Sequence, residues 1–260
     1  NSFAAFALGK LYLAGDAALP RDPAAALKWL TYAAELGNQF AQYRLGKLLL
    51  KGDDGIPKDV ITAIRWLTAA AKQENGYAEY VLALVYLTGE DAPKDSVKAL
   101  SLLKRSAGRG NQFAQYRLGK LLLQGEDAPK DVKAAIRWLT AAAEQGNQYA
   151  QYALGKLYLL GKEVPKDRSS AIKWFQLAAD QGNEYAQYFL KHMDDRLGQP
   201  PVAAVISLFH HLANIFQEQN QPPPSGGVRV AVDRKLLRKI KAKKIAQGHK
   251  ADDHEPEMQL

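Results

Sequence analysis

An all-α, right-handed α-solenoid of helix-turn-helix repeats, with a C-terminal cap helix and a basic tail, is the fold class this sequence predicts. Three observations predict it. One sentence of sequence recurs along the chain, opened by Ala4, Ala41, Ala78, Ala114, Ala150 and Ala186, at steps of 37, 37, 36, 36 and 36 residues. Each period holds two apolar patterns at helical spacing, and a period of that length is the signature of stacked helical hairpins. Helix breakers and cap-forming residues recur at matching offsets, a Gly…Pro-x-Asp turn with three or four residues between Gly and Pro inside each repeat and a Gly-Asn step between most of them.

The repeat at the centre shows the elements most plainly. Helix A is expected over Gln112 to Gln124, with Phe113, Tyr116, Leu118, Leu121 and Leu122 at helical spacing. Gly119 falls in mid-helix, where glycine costs about 1 kcal/mol relative to alanine. Its equivalents Gly9, Gly46 and Gly155, with Ala83 as the variant, predict close approach of a second helix. Gly125 ends helix A, and Glu126, Asp127, Ala128 and Pro129 form the turn. Asp131 is the expected N-cap of helix B, since its carboxylate can accept from first-turn amides. Helix B is expected to bury Ala135, Ile136, Leu139 and Ala142. Gly146 suits the left-handed C-terminal position, and Asn147 caps the next helix A.

The other repeats vary this theme. Repeats one (about 1–37) and two (about 38–74) each carry one extra turn residue, in DAALPRD and DDGIPKD against EDAPKD. Repeat two ends on Glu74 where Gly37, Gly110, Gly146 and Gly182 stand elsewhere. A non-glycine residue there costs about 1 kcal/mol, so Gly76 is expected to shift that turn. Repeat three departs most, with Leu84 in place of the usual lysine and Leu102 in place of the usual tryptophan. Repeats two and four share an identical block, Asn38–Leu50 and Asn111–Leu123, and the string AIRWLTAAA at 63–71 and 135–143. The expected domains are a solenoid over 1–195 (five hairpins plus a sixth helix A), a capping helix over 196–220, and a Pro/Gly linker with a basic, largely disordered tail over 221–260. The cap helix, Val202 to Asn220, has Val205, Ile206, Phe209, Leu212, Ile215 and Phe216 on one face.

The residues Ala150, Leu154, Gly155, Tyr158, Gly161, Ala171, Trp174, Ala178, Ala179 and Gly182 follow a pattern that resembles the Sel-one-like repeats, relatives of the tetratricopeptide repeats. The resemblance covers about residues 1–190. It implies a scaffold that binds protein partners and has no activity of its own.

Composition points the same way. There is no cysteine, and all five histidines (His192, His210, His211, His249, His254) lie in the last 70 residues. The first 191 residues therefore lack the groups that general-base, nucleophilic and transition-metal chemistry normally use, and their carboxylates read as turn and cap residues. No catalytic residue, metal site or cofactor is expected in this chain. His210 and His211 are adjacent on a helix and point about 100° apart, too far to chelate together. His249, Asp252, Asp253 and His254 read as a solvated end. Apolar content of 47% suffices for a continuous core. No run of 18 apolar residues suggests a membrane span. The chain opens inside a helix A without an initiator Met and reads as a piece of a longer protein, with a cytoplasmic setting expected.

Two candidate surfaces remain. By the helix period Tyr43 and Lys47 share a face of helix A, repeated as Tyr80, Tyr116/Lys120 and Tyr152/Lys156 and closed by Tyr188. This row could hold an extended acidic or polar peptide by aromatic packing and charge steering. The same register equally suits tyrosines that pack between repeats beside solvated lysines. Trp29, Trp66, Trp138 and Trp174 share one helix-B register and read as core. The second surface is the tail, where residues 229–250 carry nine Lys/Arg against one acid. Arg229, Arg234, Lys235, Arg238, Lys239, Lys241, Lys243 and Lys244 could neutralise DNA phosphates, lie on an anionic membrane, or form a solvated or protein-binding extension. The absence of aromatics disfavours base stacking and a membrane anchor. The end HHLANIF…PPPSGGVRVAVDRKLLRKIKAKKIAQGHKADDHE is similar to the C-termini of mobilisation relaxases of integrative and conjugative elements. That similarity implies the accessory region of a cytoplasmic DNA-processing protein, whose nicking residues have no counterpart here. The alternative is a stand-alone bacterial adaptor with no nucleic-acid role.

Overall fold

The computed structural model describes residues 1–193 apart from 16–18 and 53–54, with the backbone alone for His192 and Met193. The expected cap helix, the linker and the basic residues from Arg229 to Lys244 lie outside the described residues.

Eleven α-helices follow one another among the described residues: α1 (Ser2–Ala14), α2 (Pro23–Glu35), α3 (Gln39–Lys51), α4 (Val60–Lys72), α5 (Gly76–Thr88), α6 (Ser96–Gly108), α7 (Gln112–Gln124), α8 (Val132–Glu144), α9 (Gln148–Leu160), α10 (Arg168–Asp180) and α11 (Glu184–Met193). Odd helices are the A helices and even ones the B helices. Each A packs on its own B, and each B on the next A, so five hairpins and a sixth helix A stack into a solenoid.

The boundaries come from the side chains expected to set them. Asn38, Asn111 and Asn147 cap α3, α7 and α9, each side chain accepting from two first-turn amides at 3.0–3.1 Å. Asp22, Asp59, Asp95, Asp131 and Asp167 cap the B helices, each carboxylate accepting from the amide three residues on. The backbone N–H of each capping Asp also donates to a late carbonyl of the preceding helix A, as Asp131 N does to Leu122 O at 2.9 Å, closing the turn. The extra turn residue of hairpins one and two is taken up where helix A exits. Gly15 and Gly52 have ψ of 151° and 138°, whereas Gly89, Gly125 and Gly161 are left-handed.

The core is built of small and medium residues that allow close approach. Ala135, Leu139, Ala142 and Ala143 of α8 are buried, as are Ala114, Leu118 and Leu122 of α7. A Cβ added at Gly119 would lie 2.7 Å from Leu139 Cγ and 3.0 Å from the Ala135 carbonyl oxygen. Gly9, Gly46 and Gly155 face Leu30, Leu67 and Phe175 in the same way. The mid-helix glycine thus exchanges helix propensity for interhelical contact.

Four expectations are corrected. Gly76 does not shift the turn after α4. Glu74 itself takes the left-handed conformation (φ 65°) and keeps the closing bonds, Glu74 N to Ala71 O and Asn75 N to Ala70 O at 3.1 Å. Ile136 is half-buried, because the stripe of α8 facing both neighbours is filled by alanines and Leu139. The four tryptophans do pack against the apolar clusters of the core, but they are half-buried rather than enclosed. Arg65 and Arg137 lie over Trp66 and Trp138 at 5.1 and 5.6 Å from the ring centroids. Finally, not every carboxylate sits in a turn or cap, since Glu79 is fully buried within α5.

Candidate protein-binding surface

The stacking of A helices turns a repeated residue into a row. In each A helix from α3 to α11 the second residue is aromatic and exposed or half-buried (Phe40, Tyr77, Phe113, Tyr149, Tyr185), and it lies against the fifth residue of the helix before it. The five ring pairs, Phe6–Phe40, Tyr43–Tyr77, Tyr80–Phe113, Tyr116–Tyr149 and Tyr152–Tyr185, have centroids 5.9–6.3 Å apart with tilted planes. This spacing lies in the favourable range for aromatic pairs. The tyrosines therefore do pack between hairpins, through partners that were not read from the sequence. Tyr188 lies edge-on to Phe189 and remains exposed.

Burial raises the phenols of Tyr43, Tyr80, Tyr116 and Tyr152 above the usual tyrosine range, and neighbouring phenols add to it along the line. Beside them lie the lysines. Lys47 is exposed, while Lys120 and Lys156 are half-buried. Burial, and then Arg117, lowers Lys120 from the ordinary lysine value. Burial lowers Lys156 as well, and the charges of Lys120 and Lys162 lower it further. The structure thus brings Tyr43, Tyr80, Tyr116, Tyr152, Lys47, Lys120 and Lys156 onto one continuous helix-A surface, with Tyr188 at its end.

Two further rows escaped the sequence reading. Gln42, Gln115, Gln151 and Gln187 each donate through Nε2 to a carbonyl at the end of the preceding helix B (Ala34, Ala107, Ala143, Ala179) at 3.0–3.2 Å. Gln73, Gln145 and Gln181 donate in turn to the first three of these side chains at 2.7–2.8 Å. In hairpin three the rung is ionic. Glu79 replaces the buried glutamine and meets Arg105 Nη2 at 2.6 Å and Arg109 Nε at 3.3 Å. Arg109 also reaches Glu74 at 2.9 Å, and Arg105 donates to Ala71 O at 3.3 Å, the carbonyl a glutamine would have served. The other row joins the turns. Lys58, Lys94 and Lys130 of successive Pro-Lys-Asp turns pair with Asp91, Asp127 and Glu163 of the next turn at 2.6–2.8 Å. The signal for both rows was present, since these residues recur with the period. Polar side chains in a helix or turn read as solvated until the stacking partner is in place.

Among the described residues no group of three or more His, Asp or Glu side chains is placed to hold a metal ion, and no helix is long and apolar enough to cross a membrane. A hollow of about 830 Å³ opens along α2 between Leu27, Trp29, Tyr32 and Glu35, away from the ring row.

Comparison with known proteins gives these repeats a family. The Sel1 repeat profile matches residues 2–38, 39–75, 76–111, 112–147 and 148–183. Among solved structures, the chain is similar to a protective antigen of uropathogenic Escherichia coli with an SLR fold, at 34% identity and a TM-score of 0.67 over 76% of this chain. The match spans 42% of that antigen's length. A Sel1 repeat protein of Oxalobacter formigenes is 30% identical, with a TM-score of 0.67 over 73% of this chain and 75% of its own. An immunity protein of Pseudomonas aeruginosa shares the fold at 22% identity, with a TM-score of 0.51 over 76% of this chain and 73% of its own. Comparison with curated proteins gives no match. Five matched repeats, each folded as one hairpin, leave a single conclusion: the chain belongs to the Sel1 repeat family.

Proposed function

We propose that this chain is a non-catalytic scaffold that captures a protein partner along its helix-A surface. The observation that carries the proposal is the coincidence, on one face, of the aromatic row and an excess of cations over acids. The six A helices hold eight Lys/Arg and two acids, Glu79 and Glu184, and Glu79 is spent inside the array. Rings and cations are what capture an extended chain by packing and steering. The test replaces Lys47, Lys120 and Lys156 with Glu in the full chain and follows partner capture by crosslinking. Capture should fall sharply; unchanged capture would remove the surface from consideration.

A second reading applies to the tail. We infer that Arg229–Lys250 contacts duplex DNA through phosphates, because nine cations stand against one acid with no aromatic among them. Such binding weakens with salt at a log–log slope of about −0.9 per neutralised phosphate. Titration of labelled duplex with residues 1–260 against 1–227 tests it, and equal affinities would end it. The wider setting, a cytoplasmic DNA-mobilisation protein of which this is an accessory region, rests on the C-terminal sequence alone. A stand-alone adaptor is the outcome if the tail proves silent.

A further inference from the structure

We propose that the helix-A surface selects an extended segment whose sequence runs acidic, apolar, acidic, with its apolar centre seated on hairpin three. The proposal rests on the reading of this face as the capture surface and names the class of segment it takes.

The argument starts from what changes along the row. At the sixth and ninth positions of helix A, hairpin two carries Arg44 and Lys47, both exposed, and hairpin four carries Arg117 and Lys120. Hairpin five keeps the lysine, Lys156. Between them hairpin three has Val81 and Leu84, both half-buried, beside the exposed ring of Tyr77. The surface is therefore cationic, then apolar, then cationic, on an uninterrupted aromatic row.

The cationic end brings like charges together. Asp127, whose carboxylate feels Arg117, is already held by Lys94 Nζ and Ser96 Oγ, both at 2.8 Å. Arg117 Nε is buried with no hydrogen-bond partner among the described residues. Lys120 is half-buried beside Arg117, and both Lys120 and Lys162 repel Lys156. A carboxylate arriving there relieves like-charge repulsion that the fold itself maintains. The apolar stretch asks for the opposite: a charge set over Leu84 and Val81 would lose water and gain no counter-charge.

Spacing then fixes the pattern. Packed helices lie about 8–10 Å apart, and an extended chain advances about 3.3 Å per residue, so each hairpin spans about three residues of ligand. Hairpins two to five accommodate roughly ten residues, with acids toward both ends and a Leu, Ile or aromatic residue nearer the end that lies on hairpin two. A nucleic-acid strand carries a charge at every step and would place phosphate over the apolar stretch, so a polypeptide is the better fit.

The experiment measures fluorescence anisotropy of labelled synthetic peptides of about that length, titrated with the full chain at physiological salt. One peptide has acidic flanks and a Leu-Ile centre, one has acidic flanks and a Gly-Ser centre, one is acidic throughout, and one has Gln flanks with the Leu-Ile centre. A single-stranded oligonucleotide of matching length is the fifth probe. The first peptide should bind about ten-fold or more tighter than each of the others. Lys120→Gln with Lys156→Gln should remove that advantage. Leu84→Lys, at a half-exposed position, should reverse the order of the first and the all-acidic peptide. Equal binding of the all-acidic peptide or the oligonucleotide, or an order that Leu84→Lys leaves untouched, overturns the proposal. If no peptide binds while charge reversal at Lys47, Lys120 and Lys156 still abolishes partner capture, the surface is right and the segment class is wrong. If charge reversal leaves capture intact as well, the surface reading fails with it.

Discussion

Hairpin three and its neighbours share one backbone frame and differ in how they satisfy it. Hairpins two and four bury Gln42 and Gln115, end on Gln73 and Gln145, and leave Gly46 and Gly119 under a leucine. Hairpin three buries Glu79, ends on Arg109, and has Ala83 in the glycine's place. A carboxylate has no N–H to give the Ala71 carbonyl, and Arg105 supplies it. What the period conserves is therefore a set of satisfied donors and acceptors. Residue identity can change when the partners change together.

The comparison breaks hardest at the ionic rung. Replacing Arg105 and Arg109 with Met strands the Glu79 carboxylate in the interior, and should lower unfolding free energy in urea by about 3–5 kcal/mol. Rewriting the rung as hairpin two has it, with Glu79→Gln and Arg109→Gln, should stay within about 1 kcal/mol of the parent chain. A double variant as unstable as the methionine pair would show that the rung depends on charge itself.

The glycine position gives the next effect. Gly119→Ala places a methyl group 2.7 Å from Leu139 Cγ. Overpacking of about 1–3 kcal/mol should outweigh the roughly 1 kcal/mol of helix propensity gained. A stabilised variant would mean that α7 and α8 can part enough to seat a methyl group.

Glu74 gives a smaller and opposite effect. Glu74→Gly restores the residue that the other four hairpins have at this left-handed turn, and Arg109 keeps Glu79 when Glu74 is lost. The melting temperature should rise by about 1–3 °C. A fall would show that the Glu74–Arg109 pair outweighs the backbone strain.

The smallest effect belongs to the turn row. Hydrogen bonds from Lys94 and Ser96 hold the Asp127 carboxyl below the usual carboxylate range. Its folded pKa is thus below its unfolded one of about 3.9, and its contribution is complete above that value and fades as pH falls through the lower one. Asp127→Asn should cost about 0.5 kcal/mol at neutral pH for this largely solvated pair. The deficit should shrink as pH falls below the unfolded value and through the lower folded one. A deficit that persists in acid would assign the loss to packing of the turn.

The fold was legible because its determinants are local. The bounds of α7, the Asp131 and Asn147 caps and the Gly146 turn all follow from residues within a few positions of the element they set. The Tyr–Lys register was legible for the same reason. The partners of those tyrosines, Tyr77, Phe113, Tyr149 and Tyr185, come from the next hairpin, and the carbonyls bound by Gln42 and Gln115 come from the preceding one. Contacts set by the stacking offset leave no mark within a single period. Burial depth was misjudged where it depends on that offset too, at Ile136 and the four tryptophans. Glu79 was the extreme case: a lone acid in an apolar helix reads as solvated until two guanidinium groups, one from α6 and one from its C-cap, are brought against it.

The ionic rung has one more consequence, in the search the chain makes on its way to the native state. The blocks Asn38–Leu50 and Asn111–Leu123 are identical and 73 positions apart, two whole hairpins. Hairpins two and four also share AIRWLTAAA, so α4 offers α7 nearly the surface that α8 offers α9, and shape and apolarity alone leave a stack that skips hairpin three nearly degenerate with the native one. Glu79 is the one buried acidic or basic side chain among those described, and only hairpin three carries both it and the arginines that answer it. An arrangement that loops hairpin three out leaves Glu74 at the end of hairpin two without Arg109, and forfeits the Arg105 bond to Ala71. The asymmetric rung thereby opens an energy gap between correct and skipped stacking, which near-copies of one sequence cannot open for themselves.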